Sequence, residues 1–72
     1  MIDKKECTLI VSINIKKLRI SKGLKQKDLA ILLNITERCY CYYESGKREI
    51  PLFILINLLE YYETTLDILM NM

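Results

Sequence analysis

The segment Lys25–Gly46, KQKDLAILLNITERCYCYYESG, decides how this chain folds. Leu29, Ala30, Leu32 and Leu33 recur at helical spacing, and the run halts at Asn34, a residue that tolerates the left-handed conformation in which helices end. Thr36 follows where it can cap a second helix. With about 100° of rotation per residue from Glu37, Cys39, Tyr40 and Tyr43 share one side with Glu44 at its margin, while Glu37, Arg38, Cys41 and Tyr42 share the other. Two short helices joined by a tight turn thus have one face to pack and one to present.

Working outward, Gly23 marks the end of a first helix, predicted to run from Ser12 or Asn14 to Lys22. Ahead of it, residues 8–15 alternate in a mostly period-two pattern, a weak strand signal, and residues 1–11 are expected to form a partly flexible extension. Helix two is predicted over Gln26–Leu33, with Asp28 in a first turn where a carboxylate suits the helix dipole. Pro51 opens a fourth helix reaching about Tyr62, and Thr65 caps a short fifth one. The expectation is an all-α, compact five-helix domain over residues 12–72. Helix four is apolar around more than one face, which predicts a second copy of the chain against Phe53, Ile54, Leu58 and Tyr61.

Composition bounds the function. The 72 residues, 51% apolar, suffice for one small core. All eleven Lys and Arg fall in residues 1–48, against five acids, whereas residues 49–72 carry four acids and no base. A basic front and an acidic back suit a polyanionic partner. No leader pattern or membrane-length apolar run is evident, so a cytoplasmic location is expected. Three cysteines fit reduced thiols; Cys39 and Cys41 point about 200° apart on a helix and no histidine is present, so no metal or other cofactor is expected. Without histidine or a glycine-rich phosphate loop, an enzyme is not expected either.

Leu18-Arg19, Gly23-Leu24-Lys25-Gln26, Leu29-Ala30, Ile35 and Tyr43-Glu44-Ser45-Gly46-Lys47-Arg48 with Pro51 occur in order and at the spacing of one family. From about residue 15 to residue 70 the chain resembles the Xre-like helix-turn-helix domains, the phage Cro and CI repressor type. The resemblance implies a lambda-repressor-like fold with helices two and three as the helix-turn-helix. It also implies a homodimeric transcriptional regulator, a repressor, binding double-stranded DNA at two half-sites about 34 Å apart; the 72 residues leave no spare length for a ligand-sensing domain, so no small-molecule ligand is expected. Lys25 departs from the Ser or Thr usual at that cap.

By matched position, Glu37, Arg38, Cys41 and Tyr42 are the base-reading candidates. A guanidinium at Arg38 offers guanine two parallel donors, a pairing that discriminates by about 1–3 kcal/mol. Glu37 can accept from a cytosine amino group or simply compensate the helix dipole. Gln26, Lys27, Lys47 and Arg48 are the phosphate-binding candidates. The resemblance further implies that Arg19 and Glu44 pair between helices one and three. The rival reading is a protein-interaction module on the same fold, antitoxin-like or a regulatory subunit, whose outward face meets protein.

Overall fold

The computed structural model describes all residues, Met1–Met72. Helix α1 begins at Lys4 and runs to Ser21, rather than starting at Ser12 or Asn14. Its start is set by Asp3, whose carboxylate accepts the backbone N–H of Glu6 at 2.8 Å. The alternating residues 8–15 are therefore helical: at this pitch Val11 and Ile15 turn inward and are buried, whereas Leu9 and Ile13 remain exposed. Residues 4–11 are no separate extension, because Val11 belongs to the core cluster and Cys7 packs against it.

Helices α2 (Gln26–Leu33), α3 (Glu37–Ser45), α4 (Leu52–Tyr61) and α5 (Leu66–Met70) follow, with no strand. Asn34 adopts φ 57 between α2 and α3, and the Ile35 N–H returns to the Ala30 carbonyl at 3.0 Å, closing the turn. Thr36 then caps α3 by accepting the Cys39 N–H at 3.0 Å. Gly46, at φ 76, ends α3. Only glycine enters that region freely, so a side chain there would be strained by the backbone even though the space beside Ser12 and Leu9 would admit a Cβ. Thr65 caps α5 through the Ile68 N–H.

Ala30 and Leu29 of α2, Tyr40 and Tyr43 of α3, and Val11 and Ile15 of α1 meet Ile54, Leu55, Leu58, Tyr62 and Leu69 in one core. The small Ala30 is buried at this junction, where a larger side chain would spread the helices. A buried hydrogen bond from Asn14 Nδ2 to the Leu69 carbonyl, 2.7 Å long, fastens α5 to α1.

One expectation is corrected. Ile54 and Leu58 are 3% and 1% exposed and belong to the core, so they are unavailable to a second copy. The inward arc of α4 is formed by Ile54, Leu55, Leu58 and Tyr62, which leaves Leu52 (70% exposed), Phe53 (67%), Ile56 and Tyr61 outside.

Candidate nucleic-acid interface

Helix α3 presents its outward side chains because its inward ones are committed. Tyr40, Tyr43 and Glu44 are buried, and Cys39, partly buried, donates from Sγ to Tyr43 Oη at 3.3 Å. On the other side Glu37 and Arg38 are exposed and Cys41 and Tyr42 half-buried. All four line one shallow surface depression together with Gln26 of α2. The two helices thus build a single surface in which the four base-reading candidates are neighbours.

The orientation of α3 rests on an ion pair. Arg19 Nε donates to Glu44 Oε2 at 2.7 Å and its terminal nitrogen to Oε1 at 3.2 Å, while a further guanidinium N–H reaches the Leu24 carbonyl at 2.9 Å. The side chains are 13% and 2% exposed. Burial by itself pushes the Glu44 carboxyl up, but hydrogen bonds from Arg19 and Gln26 and the nearby Tyr40 hydroxyl outweigh it and hold the group below the usual carboxylate range. The same guanidinium contact raises Arg19. Tyr40 and Tyr62 have buried hydroxyls with no well-formed hydrogen bond; burial drives Tyr40 strongly upward and Tyr62 up to about 12.

Gln26 has two connections. Its amide Nε2 donates to Glu44 Oε1 at 3.2 Å, so one N–H faces the ion pair while the residue also borders the outward depression. The Gln26 and Lys27 N–H groups that open α2 lack intrahelical partners, which makes the helix end receptive to an anion. Lys25 has no acceptor and gives no side-chain cap; only the reciprocal contact exists, with Asp28 Oδ2 taking the Lys25 N–H at 2.8 Å.

Lys27, Lys47 and Arg48 are exposed and lie outside that depression, Lys27 on the first turn of α2 and the other two just past α3. The ring of Tyr42 reaches the latter two: Lys47 Nζ is 5.7 Å and Arg48 Cζ 5.0 Å from its centroid. Sequence reasoning missed this contact and the Gln26–Glu44 bond. The only available signal was a tyrosine five and six residues ahead of two consecutive bases. The three thiols are free, no group of three ligating side chains gathers for a metal, and no helix is long and apolar enough to cross a membrane.

Comparison with known proteins agrees with this architecture. Residues 15–69 match a family model described as helix-turn-helix. The uncharacterized HTH-type transcriptional regulator YqaE of Bacillus subtilis (strain 168) is 41% identical over 58 residues, which are 81% of this chain and 50% of that protein. The chain therefore spans about half the length of this curated relative. A crystal structure of a mutant of the restriction-modification controller protein C.Esp1396I superposes with a TM-score of 0.76 at 25% identity, covering 99% of this chain and 87% of that one. The chain belongs to the Xre-like helix-turn-helix family of DNA-binding transcription regulators.

Proposed function

We propose that the chain acts as a homodimer that binds a two-fold symmetric operator and represses transcription by occupying it. Each α3 enters the major groove, Arg38 and Glu37 address base edges from its N-terminal turn, and Cys41 lies beside them. Gln26, the opening amides of α2, Lys27, Lys47 and Arg48 contact phosphate and set the register. The carrying observation is that Gln26 of α2 and Glu37, Arg38, Cys41 and Tyr42 of α3 share one outward surface, with α3 braced from behind by Arg19 and Glu44.

The second copy packs on the outward arc of α4, where Leu52, Phe53 and Ile56 are exposed, with Tyr61 at its margin. Two-fold pairing spaces the reading helices by about 34 Å, one turn of duplex. Phe53→Lys tests this part: Phe53 is a surface residue, so the variant stays folded, sediments as a monomer and loses operator affinity. A variant that sediments as the wild-type dimer rejects this face. Salt separates DNA binding from a protein-interaction role, since only the former weakens steeply as salt rises.

A further inference from the structure

Tyr42 is joined to the basic loop by its backbone and by its ring. Its carbonyl oxygen accepts the Gly46 N–H that caps α3, the Lys47 N–H at 3.1 Å and the Arg48 N–H at 3.3 Å, and the Ser45 hydroxyl at 3.2 Å. That anchoring returns the chain over the tyrosine ring, where Lys47 Nζ and Arg48 Cζ stand 5.7 Å and 5.0 Å from the centroid. Both distances are inside the range of about 6 Å at which a ring quadrupole attracts a cation.

Neither cation is neutralised by a carboxylate. The two ion pairs of the molecule are Arg19–Glu44 and Lys4–Glu49, so the acid next to Arg48 in sequence is directed to α1 instead. Two positive groups are therefore held over one ring with no anion between them. Their repulsion falls when an anion binds there.

We propose that Tyr42 is a positioning residue whose aromatic face holds Lys47 and Arg48 as a two-armed clamp on a backbone phosphate of duplex DNA. The inference rests on the DNA-binding reading above and alters one part of it: Tyr42 acts through the two cations and not on base edges. Its place supports this. Recognition helices read bases chiefly with their N-terminal residues, where Glu37 and Arg38 stand, and Tyr42 is on the last turn of α3, beside the loop that leaves the groove. The phenol hydroxyl is not needed for the clamp; the ring is.

The test measures binding to a short mixed-sequence duplex by fluorescence anisotropy across a salt series. Such a probe suits because the phosphate contribution is independent of sequence, and each contact adds about 0.9 to the slope of log affinity against log salt. Tyr42→Phe keeps the wild-type slope, and Tyr42→Leu and the exposed Lys47→Gln, Arg48→Gln double variant are each shallower by about one, the share of a single phosphate. Adding Tyr42→Leu to the double variant changes the slope no further, because the ring has nothing left to hold. The double variant alters only exposed side chains, so it reads the clamp even if Tyr42→Leu folds poorly.

A second readout needs no DNA. Ring current shifts the Arg48 Cδ and Lys47 Cε protons upfield in the free wild type and in Tyr42→Phe, and the shift disappears in Tyr42→Leu. Unshifted protons in the wild type overturn the clamp, as does a full wild-type slope in a folded Tyr42→Leu. A wild type that binds no duplex at any salt rejects the DNA-binding reading itself, and the clamp with it.

Discussion

Arg19 and Glu44, 25 residues apart in sequence, meet through two hydrogen bonds of 2.7 and 3.2 Å and fix helix α3 against helix α1. The pair is deeply placed, with Glu44's side chain 2% exposed. Its value as a net source of stability is modest, since both charges were desolvated to form it. Breaking it is a different matter.

Arg19→Leu leaves the Glu44 carboxylate buried without its cation and is expected to destabilise the domain by about 3–5 kcal/mol. In a domain of this size that corresponds to a fall in Tm of about 12 °C or more, read by circular dichroism. An unchanged Tm would show that the pair does not support α3.

The same cluster predicts how stability depends on acid. The folded-state pKa of Glu44 is depressed, so its contribution is present above the unfolded carboxylate value of about 4.3 and is lost as pH falls through the lower folded value. Urea midpoints should therefore decline below about pH 4, and Glu44→Gln, less stable at neutral pH, should lessen that decline. An acid profile as steep in the variant as in the wild type would assign the effect to other carboxylates.

At the alkaline end the sign reverses. Tyr62 is raised to about 12 and Tyr40 is raised as well, so both favour the folded state below the unfolded phenol value of about 10, and the benefit is lost as pH rises through the folded values. The domain should lose stability above about pH 10. Tyr62→Phe should soften that loss and cost little at neutral pH, because its hydroxyl has no hydrogen bond to forfeit.

Lys25 supplies a stabilising prediction. It occupies the N-cap of α2 without an acceptor, while Asp28 already completes the reciprocal half of a capping box. Lys25→Thr should add about 1 kcal/mol and raise Tm by about 4–8 °C. Removing the working cap at Thr36 with Thr36→Ala should cost a similar amount. No gain from Lys25→Thr would mean that the first turn of α2 is not limited by its cap.

Much of the fold is legible because it depends on local rules. Asn34, Thr36, Gly46 and Thr65 end or begin helices through contacts a few residues long, and α2 and α3 form where their patterns place them. The start of α1 is not legible in the hydropathy pattern, because the alternation of Leu9, Val11, Ile13 and Ile15 masks a helix with an apolar outer side. The corrective signal was present in Asp3 and Glu6, spaced as a cap and its third residue. The inward arc of α4 was not legible. More than one of its faces is apolar enough to bury, so only docking against the other helices selects Ile54 and Leu58 over Leu52 and Ile56. The Tyr42 platform escaped notice for a related reason: a ring and two cations meet only after Gly46 has turned the chain.

The central claim, that α3 reads a specific operator, is tested most directly by selecting bound duplexes from a randomised pool at near-physiological salt, with Arg38→Ala in parallel. The account predicts that the wild type enriches a two-fold symmetric site with half-sites about one helical turn apart, and that the variant keeps the site but loses preference at one base pair in each half, a loss of about 1–3 kcal/mol of discrimination. Enrichment of no sequence by a folded wild-type dimer would contradict it.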